Sequence, residues 1–499
     1  MRLEPVLVIG ATGYVGGRLV PKILNEGFRV RAMARSLTKL AARPWAHHPM
    51  VELVQGDVLD LESLIKALKG CWAAYYLVHS MDRHTKDFVH TDRIAAHNMV
   101  IAAAKANLNR IIYLGGLLPS ELPYSPHLES REEVGRILQS GPVPTTVLRA
   151  AMILGSGSAS FEIMRYLVDR LPIMITPQAI RNQVQPICIR NVLTYLCGCL
   201  EHDSVMGQTY DICGPEIVTY ERLFQIYAEE AGLPKRRIIP VPFLTSQICS
   251  YLIHLVTPVH RSLARPLTEG LRHTLICRDP RLREIIPQDL MNCRRTIRRI
   301  LFKRQQQIVE TTWADAGHFV PPEWAHYGDQ SYTGGTVIYS ACRITLQASP
   351  EEIWTPLVRI GGDTGWYYAD YLWVLRGWSD KLLGGISSHR GRRHPVDLVA
   401  GDPLDFWRVL EVRPARRLLL VGEMKAPGEA VLDFRIIPQP RGATELQMIA
   451  RFLPQGLGGL AYWYVLLPFH SWIFKGTLQA IARRVDRPVI SGPESFKPG

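Results

Sequence analysis

A chain of 499 residues is longer than one ordinary hydrophobic core supports, so two or three domains are expected. A composition that is 47% hydrophobic and 21% charged belongs to a folded protein and excludes long disordered tracts. The net charge of +13 comes without zinc-finger spacing and without a basic strand interleaved with aromatics, so no nucleic-acid partner is expected.

The first 150 residues alternate strand and helix. Val6-Leu7-Val8-Ile9 is a continuous apolar run, as in a strand covered on both faces. Residues 14–25 predict a helix, with Val15, Leu19, Ile23 and Leu24 on one side and Gly27 ending it. Strands follow at 29–34, 51–54, 73–78 and 110–114, with helices at 61–68 and 92–106 between them. That alternation implies a doubly wound parallel sheet, an α/β Rossmann fold with right-handed crossovers. A sixth strand at 145–149 leads into Gly155-Ser156-Gly157-Ser158, and mixed elements to about residue 304 complete the domain and wall its substrate cleft.

Residues 305–335 carry weak periodicity and Pro321-Pro322, and are read as a linker. From residue 336 the pattern changes. Ile338, Ser340, Cys342, Ile344 and Leu346 alternate with more polar residues, which predicts a strand facing a core on one side. Ser349-Pro350-Glu351-Glu352 predicts a helix start with a capping box. Strands at 406–412, 417–424, 430–436 and 445–452 and a last helix at 463–485 suggest a sheet wrapped around that helix. The tryptophans Trp366, Trp373, Trp378, Trp407, Trp463 and Trp472 are expected mainly as core. Arg376, Arg390, Arg392 and Arg393 with Asp380, Asp402 and Asp405 read either as a buried polar network or as scattered surface pairs.

Gly10-Ala11-Thr12-Gly13-Tyr14-Val15-Gly16 follows the first strand and opens the first helix. Gly10 permits the tight turn, Gly13 lets backbone approach a pyrophosphate, and Gly16 lets helix and strand pack closely. The helix N-terminus then offers N–H groups to phosphate. In this context the glycines predict a dinucleotide site. NADP is expected over NAD, because Met33-Ala34-Arg35-Ser36 puts Arg35 and Ser36 where an acidic residue would otherwise hold the ribose hydroxyls. Asp57 and Val58 end the third strand at the adenine side, and Val78 and His79 end the fourth near the nicotinamide side.

These motifs, with Tyr76-Leu77-Val78-His79-Ser80-Met81 and Gly155-Ser156-Gly157-Ser158-Ala159-Ser160-Phe161-Glu162, resemble the atypical short-chain dehydrogenase/reductase superfamily. The likeness is to the NmrA-like branch and its bacterial two-domain members of the YbjT type. Gly361-Gly362-Asp363-Thr364-Gly365-Trp366-Tyr367-Tyr368 and Gly401-Asp402-Pro403-Leu404-Asp405-Phe406-Trp407 extend it to the C-terminal domain of unknown function attached to such proteins. That domain is similar to α+β helix-grip folds of the START/SRPBCC-like class, which enclose an apolar ligand. Active members of the superfamily use Tyr-x-x-x-Lys, and the matching segment here is His127-Leu128-Glu129-Ser130-Arg131. The spacing keeps both side chains on one helix face. Histidine can pass a proton, with an ordinary pKa of about 6.5. Arginine can hold a ribose but cannot act as a base. The superfamily's serine is absent, and Leu114-Gly115-Gly116 stands in its place.

Two functions follow from the resemblance. One is an NADPH-dependent oxidoreductase acting on an apolar carbonyl or quinone-like molecule, with His127 and Arg131 catalytic. The other is a non-catalytic NADP(H) sensor or scaffold whose C-terminal domain binds an apolar ligand. Nine cysteines, odd in number and irregularly spaced, with Cys197 and Cys199 too close for a C-x-x-C motif, suit a reduced cytoplasmic setting and no metal site. Met1-Arg2-Leu3-Glu4-Pro5 lacks a signal-peptide pattern. Two stretches without Lys, Arg, Asp or Glu, 238–260 and 452–474, are punctuated by Pro and Gly. They read as shorter buried pieces or as a peripheral membrane contact rather than as spans. The basic stretch 261–304 reads as a solvated helical face or as a surface for an anionic partner.

Overall fold

Val6–Ile9 forms strand β1, and all four residues are buried, because neighbours on both sides of the sheet cover them. β4 (Ala73–Tyr76) is buried in the same way, and β2 (Val30–Ala34), β5 (Arg110–Gly116), β6 (Thr145–Ala150) and β7 (Thr209–Ile212) mostly so, while β3 (Val51–Gln55) is a partly exposed edge strand. They make one sheet in the order β7-β6-β5-β4-β1-β2-β3, parallel throughout. Helices α1 (Gly16–Asn25), α2 (Leu61–Leu68), α3 (Phe88–Lys105) and α4 (Pro126–Gln139) lie among the crossovers. Two cores result, one centred on Val8, Leu19, Ile23 and Tyr195, the other on Leu7, Met99, Tyr113 and Leu138.

This computed structural model describes residues 3–78, 88–257, 259, 261–305, 337–382 and 391–497. The chain divides into two compact units, Met1–His318 and Phe319–Gly499. The expected linker lies outside the described residues except for Gln305, which closes helix α5 (Cys293–Gln305). Several cations of the basic stretch are paired with acids. Arg294 meets Glu229 and Glu230, Arg298 meets Glu230, Arg295 meets Asp289, and Arg265 meets Glu269. The solvated-face reading therefore fits these residues.

The second unit is built on β8 (Ile338–Leu346), α6 (Pro350–Leu357), α7 (Asp370–Leu382), β9 (Pro403–Leu404), β10 (Trp407–Arg413), β11 (Arg417–Gly422), β12 (Gly428–Gln439), β13 (Ala443–Pro454), α8 (Gly456–Val485) and β14 (Val489–Ser495). The sheet runs β9-β10-β11-β12-β13-β8-β14 and is antiparallel throughout. The capping box forms: the Glu352 amide donates to Ser349 Oγ at 3.3 Å, and the Ser349 amide donates to Glu352 Oε2 at 2.8 Å. Trp463, Ile473, Phe474, Leu478 and Ile481 of α8 enter the core that lines the sheet.

Three expectations are corrected. Helix α1 starts at Gly16 rather than residue 14, because residues 10–15 are taken up by the turn. Helix α8 starts at Gly456 rather than residue 463. It runs through Pro468, as expected, which removes one helix donor opposite Tyr464, a 60% exposed residue. Gly459 is required there, since a Cβ would fall 2.3 Å from the Pro427 carbonyl oxygen. Helix α7 and strand β14 have no counterpart in the sequence reading.

Candidate cofactor and proton-transfer site

The strand order reverses direction between β1 and β4, and ligands of open α/β sheets bind at the carboxyl ends of strands at such a point. Gly10 leaves β1 with φ +85°, and the amides of Gly10 and Ala11 both donate to the Met33 carbonyl at 3.2 Å. The turn is closed by the Gly13 amide on the Gly10 carbonyl at 2.9 Å. A Cβ on Gly16 would lie 2.3 Å from the Gly10 carbonyl oxygen, so only glycine lets α1 come this close to β1. Beside Gly13, only the Gly10 carbonyl oxygen of the described residues lies within 4 Å of a Cβ position. Val15 at the N-cap provides no side-chain acceptor, and the first turn of α1 contains no acidic residue. An approachable glycine and an uncapped helix N-terminus fit a pyrophosphate.

Among the other expected contacts, Ala11 and Thr12 are buried in the turn, Val15 packs on the core, and Tyr14 lies against the Gly155 loop. A Cβ on Gly155 would fall 2.1 Å from the Tyr14 hydroxyl. Arg35 is exposed just after β2, and Ser36 caps the helix Leu37–Ala41 through the Lys39 amide. Asp57 is half-buried and its Oδ1 accepts from the Leu59 amide at 3.0 Å, which holds it at the end of β3. The Val58 carbonyl accepts from Asn98 Nδ2 at 3.0 Å. Val78 packs on Gly10, and His79 lies outside the described residues.

His127 and Arg131 occupy the first turns of α4, four residues apart. Arg131 Nη2 donates to the Leu114 carbonyl at 3.2 Å, and its guanidinium lies 5.7 Å from the centroid of the Tyr113 ring. Arg131 is thereby fixed at the end of β5. The Tyr113 hydroxyl donates to the Arg131 carbonyl at 3.2 Å, and burial pushes its phenol above the ordinary range. Ser130 Oγ donates to Asp92 Oδ2 at 3.2 Å and ties α4 to α3.

Several residues near the turn went unread in the sequence. Arg43 is buried and donates to the Thr12 carbonyl at 3.1 Å. Arg18 stacks over the Tyr14 ring at 4.4 Å and donates to the Ser156 carbonyl at 2.9 Å. Ser156 Oγ is itself buried without a hydrogen-bond partner among the described residues. Lys39 is 4% exposed, in the helix that Ser36 caps. Arg18 and Arg43 left no sequence motif, because their carbonyl partners lie 138 and 31 residues away.

Comparison with known proteins agrees with this geometry. Residues 10–152 match the family described as NAD(P)H-binding, and residues 332–477 match the family described as "Protein of unknown function (DUF2867)". The first unit thus carries an NAD(P)H-binding domain on its parallel Rossmann-like sheet. The photosystem II assembly factor Ycf39 of Synechocystis is 24% identical over 238 residues, which are 48% of this chain and 70% of that protein. The NmrA-like oxidoreductase notA' of Aspergillus versicolor is 40% identical over 78 residues, 15% of this chain and 22% of its own length. Cinnamoyl-CoA reductase 1 of Petunia hybrida is 27% identical over 122 residues, 23% of this chain and 35% of its own length. A Citrobacter triphenylmethane reductase solved with NADP(H) is 19% identical with a TM-score of 0.49, covering 59% of this chain and 99% of that one.

The DUF2867 segment contains the aspartates and arginines singled out in the sequence, and Arg392 and Arg393 gather with buried Asp402 and Asp405. Arg393 pairs with buried Asp402 at 2.9 Å, and Arg376 lies 3.9 Å from buried Asp380. Asp405 accepts from Trp366 Nε1 at 2.9 Å and from the Gly362 amide at 3.2 Å. Arg392 Nη1 donates to the Ile360 carbonyl at 2.8 Å, and Arg390 lies outside the described residues. Trp366, Trp407 and Trp463 are core as expected, whereas Trp378 and Trp472 are half-exposed.

Proposed function

We propose that the protein is an NADPH-dependent reductase of an apolar carbonyl or quinone-like substrate, with a ligand-holding second unit of helix-grip, START-like architecture. The observation that carries the reading is Arg131 held at the carboxyl end of β5, on the same helix turns as His127. Bound NADPH would supply a hydride. His127 would donate the proton that the reduced oxygen needs, and Arg131 would orient the nicotinamide ribose. Arg35 and Ser36, with buried Lys39 one helical turn on, would receive the 2′-phosphate.

The second unit supports its part of the reading through topology. Strand β8 pairs with β13, the strand before the long helix α8, so the sheet folds its first strand beside its penultimate one. Helix α8 buries one face on that sheet. This is the arrangement a helix-grip fold requires, with β14 as an added edge.

The test is turnover with NADPH over a panel of lipophilic carbonyls and quinones. Wild-type protein is expected to oxidise NADPH with at least one of them. His127→Phe is expected to abolish turnover while cofactor affinity persists. NADPH that binds and is never oxidised would instead support the sensor reading.

A further inference from the structure

Helix α8 is apolar on two sides. One side enters the core of its own unit. The other is a stripe at three- and four-residue spacing: Tyr464, Val465, Phe469 and Trp472, with exposures of 60%, 68%, 50% and 44%. The same stripe continues beyond Trp472 as Lys475, Gln479 and Arg483, and no Asp or Glu occurs from Gly456 to Val485. Helix α7 adds Tyr371 and Leu375, each 65% exposed.

Two contacts set these helices side by side and antiparallel. Just ahead of α7, the Tyr368 ring meets Trp472 edge-on at 5.2 Å. Further along, Arg376 Nη2 donates to the Tyr462 hydroxyl at 3.3 Å. The exposed stripe of α8 thus has α7 alongside it near Trp472. Contiguous exposed apolar faces mark docking surfaces.

We propose that this patch docks the protein onto an anionic lipid bilayer, with α8 lying in the interface. Among the described residues no helix is long and apolar enough to cross a membrane, so α8 would lie on the bilayer rather than span it. Trp, Tyr and Phe on the apolar half suit the headgroup boundary, where an amphipathic ring keeps its polar edge wet. Lys475 and Arg483 extend the same line to the phosphate level, where each cation gains from anionic headgroups. A second copy of the chain is a poorer occupant, because α8 offers no acidic residue to pair with the Lys475 or Arg483 of another copy.

The experiment is sedimentation of the full chain with phosphatidylcholine vesicles and with vesicles containing about one quarter phosphatidylglycerol. Wild type is expected to sediment with the anionic vesicles and to release at high salt. Phe469→Ser with Trp472→Ser should lower the partition coefficient by about 10-fold or more. Arg483→Glu, at an exposed position outside the apolar stripe, should weaken the preference for phosphatidylglycerol. Failure of wild type to sediment would overturn the proposal, as would serine variants that sediment like wild type. A patch variant that dissolves a dimer in solution and leaves vesicle binding unchanged would assign the surface to a second copy instead.

Discussion

Arg131 donates from Nη2 to the carbonyl oxygen of Leu114 at 3.2 Å, which places a permanent cation at the end of β5 beside the proposed nicotinamide position.

Removing this cation should therefore act on cofactor binding. Arg131→Met is expected to raise the NADPH dissociation constant about 10-fold or more, the worth of one charged hydrogen bond. Arg131→Lys should recover part of the loss. Fluorescence titration with NADPH checks both, and equal affinity in all three proteins would remove Arg131 from the site.

The turn between β1 and α1 should tolerate no side chain at residue 16. Gly16→Ala would place a methyl 2.3 Å from the Gly10 carbonyl oxygen and 2.9 Å from its carbon, both of them backbone atoms that cannot swing aside. The expected cost is about 1–3 kcal/mol of stability, with weaker NADPH binding at temperatures where the variant is still folded. Thermal unfolding with and without NADPH measures both effects.

This turn, the parallel strands and the capping box were legible because each rests on local chemistry. Val6–Ile9 reads as a doubly covered strand from its own four residues, and Ser349 with Glu352 needs only neighbours in sequence. Helix α8 was read short because Gly456, Gly458 and Gly459 look like breakers. Close packing of Gly459 on the Pro427 carbonyl, which is not a local contact, makes them tolerable. Strand β14 is mostly exposed and contains Pro493, so only its pairing with β8 makes it a strand. Arg43 was missed for a similar reason, since its partner is the Thr12 carbonyl 31 residues away.

The buried carboxyl of Asp405 should impose a pH dependence on the second unit. Burial raises its pKa to about 6, against the pull of the Trp366 and Gly362 hydrogen bonds and the Arg392 charge. The folded state then holds its proton more tightly than the unfolded chain does. The contribution is complete below the unfolded value near 4 and is lost as pH rises through about 6. Asp405→Asn keeps an acceptor for Trp366 and suits the positive φ of 53°. It should flatten the stability slope between those limits, a change of order 1–3 kcal/mol. An unchanged slope in chemical unfolding of the variant would show that another group titrates there.

The capping box at α6 gives a smaller and purely structural effect. Ser349→Ala removes the acceptor of the Glu352 amide and should cost about 0.5–2 kcal/mol, measured by chemical unfolding, with NADPH affinity unchanged.

The central claim is that the first unit holds NADPH, with Arg35 receiving the phosphate that distinguishes it from NADH. The direct measurement is a paired titration of wild type and Arg35→Asp with both cofactors. The account predicts that wild type prefers NADPH and that the variant loses NADPH affinity by about 10-fold or more while NADH affinity changes little. Equal weakening of both cofactors, or a wild-type preference for NADH, would contradict it.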